Sequence, residues 1–179
     1  MRIRNFRRED IPALVQIQQE AARADGDAVM SEQDFIAWLM EPEIDALANA
    51  FVITDDDDEL NTWGQAGTLE GIEGEIVGYT VVQMRQEQDA YHFLCQGTVQ
   101  PARRLRNAGR ALLICALNRA RMIAAEFEFE AEQQGLPIYF EALLPIHDPA
   151  AARLAARCKM QPVESAMPHA ALQLYRCEL

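Results

Sequence analysis

One turn of the chain combines residue types that suit an anion. Val99 and Pro101 end an apolar run, Arg104 follows, and Asn107 and Gly109 precede another apolar stretch. Asparagine and glycine tolerate the left-handed backbone conformation, which brings successive N–H groups towards one point. The first turn of a following helix adds unpaired N–H groups and the positive end of its dipole, and arginines add mobile charge. The segment is therefore predicted to bind a phosphate or pyrophosphate.

The same residues resemble the acetyl-CoA-binding segment of the GCN5-related N-acetyltransferase superfamily. The family pattern is Val-x-Pro-x-x-Arg/Gln-x-x-Gly-x-Gly/Ala before an apolar helix, and here Val99, Pro101, Arg104, Asn107 and Gly109 stand at the matching spacings. Asn107 replaces the first glycine, at the lowest cost for a residue with positive φ. The resemblance implies coenzyme A binding by residues of the strand, loop, next helix and last helix, namely Gly97, Thr98, Val99, Arg104, Leu105, Arg106, Asn107, Ala108, Gly109, Arg110, Ala111 and Asp148.

Two alternatives to this assignment remain open. The loop also matches in a second register, Arg106-x-x-Gly109-x-Ala111, but that register misplaces Val99 and Pro101. The turn could instead bind another anion, such as a nucleotide or nucleic acid, or it could be a basic turn without a ligand. The net charge of −12 argues against nucleic acid.

Gly97 is an unusual residue for the middle of a strand, because glycine there loses packing and order. The resemblance implies that the central strand and the next one separate, and that the pantetheine arm lies between them. Gly97 would then suit a bulge or a close approach by the ligand, with N–H groups around Thr98 and Val99 bonding the cofactor amides and polarising the thioester carbonyl. Alternatively, Gly97 fits under a bulky neighbour and has a structural role.

Transfer of an acetyl group to an amine requires a neutral nucleophile, so a substrate ammonium must first lose a proton. Some relatives use a glutamate on the central strand, and counting back from the helix reaches Phe93 here. The adjacent His92 has a suitable intrinsic pKa, and Glu141 on a neighbouring strand is a second candidate. His92 and Glu141 are therefore the predicted catalytic residues, with a structural role for the histidine as the alternative.

The last helix departs from the family pattern at the residue that protonates the leaving thiolate. The pattern Asn-x-x-Ala-x-x-Leu/Phe-Tyr is matched by Asp148, Ala151 and Leu154, but Ala155 stands where tyrosine is expected. Coenzyme A thiolate is a tolerable leaving group, so loss of the acid slows transfer without preventing it. The sequence does not choose among the possible substitutes Tyr91, Tyr139 and Tyr175.

Composition limits the class of protein. The 179 residues are half apolar, without a membrane-spanning stretch or a signal-peptide pattern, so one cytoplasmic domain over residues 1–179 is expected. The four cysteines have no metal-ligand spacing, and they are predicted to be buried free thiols: Cys95, Cys115, Cys158 and Cys177. No metal site is expected.

Charge is unevenly distributed along the chain. No lysine or arginine occurs from Ala24 to Met84, where acidic residues recur, whereas arginines cluster between residues 103 and 121. The acidic part would attract a cationic amine, or it could serve solubility alone. Residues 55–74 are predicted to be a mobile acidic excursion, in which Trp63 either covers a cationic amine with its ring or fixes the loop to the body.

Periodicity and turn signals predict the elements that must position these residues. Strands are expected at 2–6, 51–53, 75–82, 91–99, 137–143, 162–164 and 171–177, and helices at about 10–24, 31–41, 110–134 and 148–158. This order predicts a mixed α/β sheet. It also agrees with the fold that the resemblance implies, a central and mostly antiparallel sheet flanked by helices.

Residues and resemblance together predict an acetyl-CoA-dependent N-acetyltransferase. Direct transfer is expected, because no cysteine has the histidine or aspartate neighbours of a covalent relay. The predicted acceptor is a small cationic amine or a protein amino group; no nucleic acid or membrane partner is expected, and a homodimer is left open. The alternative, suggested by Phe93 and Ala155, is a non-catalytic coenzyme A-binding protein with a regulatory or assembly role.

Overall fold

The computed structural model describes residues 1–55, 74–87, 89–104, 107–146, 148–163 and 172–179. The strands are β1 Arg2–Asn5, β2 Ala50–Asp55, β3 Glu75–Gln86, β4 Tyr91–Val99, β5 Ile138–Pro145, β6 Gln161–Val163 and β7 Leu172–Glu178. The helices are α1 Ile11–Asp25, α2 Glu32–Leu39, α3 Ala46–Asn49, α4 Ala108–Gln134 and α5 Pro149–Arg157. The predicted excursion and Trp63 fall in residues 56–73, outside the described ranges.

The strands form one sheet in the order β1-β2-β3-β4-β5-β7-β6. The neighbouring strands are antiparallel except for β4 and β5, which are parallel because α4 carries the chain back across the sheet between them. This arrangement confirms the predicted mixed, mostly antiparallel sheet.

Helices cover both faces of the sheet, and alternate residues of each strand serve the two faces. Val81 on β3 packs with α1 and α2 through Leu14 and Phe35. Its neighbour Val82 packs on the opposite face, in the core that α4 and α5 form with β4 and β5. A third, smaller cluster contains residues of the predicted cofactor segment itself, Val99 and Ala108, together with Leu112 of α4.

Local signals account for most of the element boundaries. Gly26 ends α1 with a φ of 75°, and the Ser31 hydroxyl caps α2 by accepting a hydrogen bond from the Asp34 N–H at 3.1 Å. The short helix α3 was not predicted, because four residues are too few to show a helical period. No helix in the described ranges is long and apolar enough to cross a membrane.

Candidate functional site

The sheet opens where β4 and β5 stop pairing. Their last paired residues are Cys95 and Ala142. Beyond that point β4 stays paired with β3 up to Val99, while β5 stays paired with β7 up to Pro145. The separation that the resemblance implies is therefore present, and the diverging strands leave a gap between them.

A cavity of about 390 Å³ occupies this gap and extends towards the first turn of α4 and one face of α5. Eight of the predicted cofactor residues line it: Gly97, Thr98, Val99, Arg104, Asn107, Gly109, Arg110 and Asp148. Ala108 and Ala111 instead belong to the apolar cluster beneath the loop. Leu105 and Arg106 lie outside the described residues.

The start of α4 has the backbone that an anion site requires. Asn107 immediately precedes the helix with a φ of 66°, the left-handed conformation expected when asparagine replaces glycine. The next N–H groups, from Ala108 to Arg110, occupy the first turn, where a helix cannot supply their acceptors. Anionic oxygen atoms at this end of the cavity would be held by backbone donors and by the helix dipole.

Gly109 keeps the wall of the cavity open. Its φ is not in the left-handed region, and a methyl group built on its Cα would meet only the Val99 Cγ2 atom, at 3.9 Å. The glycine is therefore not required by the backbone or by packing against the protein. The space that its missing side chain leaves faces the cavity, which is where a bound ligand would approach.

Of the two explanations left open for Gly97, the contacts support the structural one. A Cβ atom there would lie 2.3 Å from the Tyr79 carbonyl oxygen and 2.7 Å from the Thr80 Cα. The strands β3 and β4 also pair without a shift in register, so no bulge occurs at this position. The close approach that requires glycine is the backbone of the neighbouring strand, although Gly97 still lines the cavity.

Arg104 is already engaged at the mouth of the cavity. Its guanidinium donates to both carboxylate oxygens of Asp25, at 2.5 and 2.7 Å, and its Nε donates to the Val99 carbonyl oxygen at 3.2 Å. The hydrogen bond to Asp25 raises the pKa of Arg104 above its usual value. A phosphate that binds Arg104 must therefore share it with Asp25 or displace Asp25.

Asp148 caps α5 rather than facing the cavity as a free carboxylate. Its Oδ1 atom accepts a hydrogen bond from the Ala150 N–H at 2.8 Å, which satisfies one of the unpaired donors of the first turn. Asp148 lines the cavity, and this bond gives its side chain a structural role there, so its predicted contact with the cofactor stays a prediction.

Two further arginines line the same cavity and were not predicted. Arg153 and Arg157 lie one turn apart on α5, on the wall opposite the start of α4. Neither arginine belongs to the family pattern of the last helix. Their spacing of four residues was the one available signal, because it puts both side chains on one helical face.

The predicted catalytic residues contact each other but do not line this cavity. The His92 Nδ1 lies 3.3 Å from the Glu141 Oε1, which also accepts from the Arg176 Nε and Nη2 at 2.7 and 2.6 Å. The Arg176 guanidinium stacks over the Tyr139 ring, 4.5 Å from its centroid. The His92 Nε2 is buried and has no hydrogen-bond partner in the described part of the chain.

Strand geometry places Glu141 nearer to the gap than His92. Glu141 precedes the cavity-lining Leu143 by two residues and therefore points to the same face of β5. His92 precedes Gly97 by five residues, which corresponds to about 16 Å along a strand. Of the two candidates, Glu141 is therefore the closer to any acyl group held in the gap, and His92 contacts its carboxylate.

The two positions where the family pattern fails are both in the core. Phe93 and Ala155 are completely buried, in the cluster formed by β4, β5, α4 and α5. A tyrosine at position 155 would have no free space in this packing. Replacement of Ala155 by tyrosine is therefore not expected to restore a general acid.

None of the three candidate substitutes for that acid lines the cavity between β4 and β5. The Tyr91 hydroxyl accepts from the Gln86 Nε2 at 3.2 Å at the far end of the hairpin, and Tyr139 lies under Arg176. Tyr175 sits opposite Pro162 in the pairing of β6 and β7. None of these three hydroxyl groups therefore takes the role of the missing residue in the described geometry.

The cysteines are free thiols, as predicted, but only Cys95 is buried. The prediction of burial is wrong for Cys115, Cys158 and Cys177, which are half-buried. Burial raises the pKa of Cys95 to about 11, and its sulfur lies 3.2 Å from the Thr80 hydroxyl oxygen. A thiol that stays protonated at neutral pH is a poor nucleophile, which supports the expected direct transfer.

One group of side chains could hold a cation. Carboxylate oxygens of Glu87 and Asp89 and a ring nitrogen of His92 lie within 4.8 Å of one another at the β3–β4 turn. Exposed acidic residues at a turn occur without a metal, so the expectation of a protein without metal stays a prediction.

No family model matches the chain, and no curated protein does. Solved structures match over almost its entire length. A GCN5-related N-acetyltransferase from Kribbella flavida is 17% identical with a TM-score of 0.65, covering 99% of this chain and 97% of that one. A ribosomal-protein-alanine N-acetyltransferase from Brucella melitensis is 15% identical with a TM-score of 0.62, covering 100% of both chains.

A third similar structure contains the expected cofactor. It is that of the Salmonella typhimurium protein yncA with its cofactor acetyl-CoA, 16% identical with a TM-score of 0.60, covering 99% of this chain and 92% of that one. At these identities the likeness concerns the fold. The chain has the fold of the GCN5-related N-acetyltransferases.

Proposed function

We propose that the protein is an acetyl-CoA-dependent N-acetyltransferase whose residues 1–179 form one catalytic domain. The main support for this proposal is that one cavity combines three features. These are the gap between β4 and β5, the first turn of α4, and the open wall at Gly109. An elongated ligand would find hydrogen-bond donors both for a phosphate group and for the amides of an extended arm.

Acetyl-CoA would supply the activated acyl group, and the chain would supply binding and orientation. The first turn of α4 would hold the pyrophosphate through backbone N–H groups. The Val99 N–H lies on the unpaired edge of β4, since the Gln100 N–H bonds the Val77 carbonyl oxygen of β3, and it would offer a donor to the arm or to the thioester carbonyl. Because the position of the usual acid is the buried Ala155, positioning and polarisation would contribute most of the rate.

Glu141 is the proposed acceptor of the amine proton, with His92 and Arg176 as positioning residues. The carboxylate lies on the face of β5 that continues to the cavity, and Arg176 fixes it through two donors to one oxygen. His92 contacts the same oxygen through Nδ1, which keeps the histidine aligned with the carboxylate. Glu141 would take the proton directly or through one water molecule.

The acceptor is proposed to be a small cationic amine or a protein amino group. The region from Ala24 to Met84 has no basic residue, which favours an approaching cation. The similar protein from Brucella melitensis acts on a ribosomal protein, which supports the inclusion of protein amino groups among the candidates.

The replacement Gly109→Val tests cofactor binding. The added side chain meets little of the protein but enters the cavity, so the fold should persist while acetyl-CoA is excluded. In the parent, acetyl-CoA at 100 times its dissociation constant adds about 2.7 kcal/mol of stability, and the melting temperature should rise by about 5–11 °C. Gly109→Val should show no rise, whereas Ala125→Val on the exposed face of α4 should respond like the parent.

An equal thermal response in Gly109→Val and in the parent would contradict the assignment of the loop. The second measurement is the release of coenzyme A thiol with polyamines, amino-acid amides and lysine peptides. The rate should increase with pH, because a larger fraction of the amine is then deprotonated.

A non-catalytic coenzyme A-binding protein is the second candidate. It is favoured by the burial of Ala155 and by the absence of a tyrosine side chain directed into the described cavity. Tight binding of coenzyme A, without thiol release for any amine between pH 7 and pH 9, would select this function.

A further inference from the structure

Three arginines around the cavity have no acidic partner. Arg110 on α4 and Arg153 and Arg157 on α5 line the same space, and none of them forms an ion pair with a described residue. Their guanidinium groups are exposed along the outer part of the cavity.

The arginines of the adjacent loop differ from these three, because they are held by acidic side chains. Acidic residues outnumber lysine and arginine by 28 to 16, and other arginines near the loop are paired. Arg103 contacts the Asp55 carboxylate at 2.8 Å and the Glu75 carboxylate at 3.2 Å, and Arg104 contacts Asp25. Three unpaired cations around one cavity therefore indicate that an anion binds among them.

The three side chains supply charge that is separate from the backbone donors of the first turn of α4, although Arg110 itself belongs to that turn. Arg153 and Arg157 follow the helix cap Asp148 by five and nine residues, which corresponds to about 7.5 and 13.5 Å along the axis. Arg110 lies near the C-terminal end of α5. Its positive charge lowers the pKa of Cys158, the residue that follows this helix, whereas burial raises it. The cavity thus offers backbone donors at the start of α4 and, in addition, the three arginine side chains that line it.

We propose that Arg110, Arg153 and Arg157 bind a phosphate monoester at the distal end of the ligand, which in coenzyme A is the 3′-phosphate of the ribose. This inference rests on the proposed function, because it assigns a subsite for the same ligand. A phosphate monoester carries nearly two negative charges at neutral pH and three acceptor oxygens, which guanidinium forks match in geometry and charge. The protein then selects intact coenzyme A over donors that lack this phosphate.

The test compares coenzyme A with 3′-dephospho-coenzyme A by isothermal titration calorimetry. The parent should bind coenzyme A at least about tenfold more tightly, since charge-assisted hydrogen bonds to two or three arginines are lost with the phosphate. The double variant Arg153→Gln/Arg157→Gln should bind both ligands equally, with the affinity of the parent for the dephospho form. The double variant Arg2→Gln/Arg8→Gln removes the same charge from exposed residues outside the cavity, and it should keep the preference.

The possible outcomes distinguish a failure of the proposed subsite from a failure of coenzyme A binding as a whole. Equal and tight binding of both ligands by the parent would overturn the subsite and leave coenzyme A binding intact. A similar loss of preference in the Arg2→Gln/Arg8→Gln control would overturn it too, because net charge alone would then explain the effect. Failure of the parent to bind either ligand would refute the proposed function together with the subsite.

Discussion

Replacement of Asp25 by asparagine should lower stability and raise cofactor affinity at the same time. In the structure, the Asp25 carboxylate accepts both bonds that the Arg104 guanidinium sends towards the cavity mouth. Asparagine has nearly the same shape but no charge, so Arg104 would lose its ionic partner. The guanidinium would then be free for a phosphate of the ligand.

The solvent exposure of the Arg104–Asp25 pair limits the size of both effects. The Arg104 and Asp25 side chains are 30% and 25% exposed, and solvent screening limits such a pair to about 0.2–1 kcal/mol. For a chain of 179 residues, this corresponds to a decrease of at most about 4 °C in the melting temperature of the free protein. In the parent, a phosphate that binds Arg104 must break the pair with Asp25 and lose this free energy. The variant has no such pair to break, so its affinity for coenzyme A should rise by up to about fivefold.

Differential scanning calorimetry of the free protein and titration calorimetry with coenzyme A measure the two effects. Asp27→Asn, two residues further along, is the matched control, because it removes one charge without removing a bond to Arg104. Lower stability together with weaker coenzyme A binding would refute the reasoning. It would show that Asp25 holds Arg104 ready for the ligand and does not compete with it.

Two further predictions concern catalysis. Ala155→Tyr should destabilise the protein by about 1–3 kcal/mol through overpacking and should not increase turnover. In urea denaturation, the control Ala156→Tyr on the exposed face of the helix should be neutral. A faster Ala155→Tyr enzyme would contradict the packing described for this position. Glu141→Gln should reduce thiol release by at least about 100-fold while coenzyme A still binds, and Glu178→Gln at the exposed end of β7 should have no effect. Unchanged turnover in Glu141→Gln would limit this carboxylate to a structural role beside Arg176.

The backbone of the predicted cofactor loop could be anticipated from the sequence, because the signals that set it are local. Pro101 breaks the strand, Asn107 accepts positive φ, and the apolar run after Gly109 has a helical period, so the order and the approximate bounds of the surrounding elements followed. The strand β4 was predicted with both ends correct.

The rest of the site depends on contacts between distant elements. Arg153 and Arg157 became visible only when α5 was placed across the cavity from α4. Gly97 was open to two interpretations, because a sequence does not show whether a ligand or the next strand requires the space. The burial of the cysteines was overestimated for the same reason, since apolar neighbours in sequence do not establish that a helix or strand is covered on every side.

The separation of β4 from β5 gives the sheet two internal edges in addition to the outer ones. Backbone donors and acceptors after Cys95 on one side and after Ala142 on the other have no ladder partner, and such edges invite pairing with another extended chain. Each edge is soon closed by a proline, Pro101 after β4 and Pro145 at the end of β5, and proline has no N–H to donate. The opening can therefore accept a short extended molecule, but it is too brief to pair with a full strand of another protein.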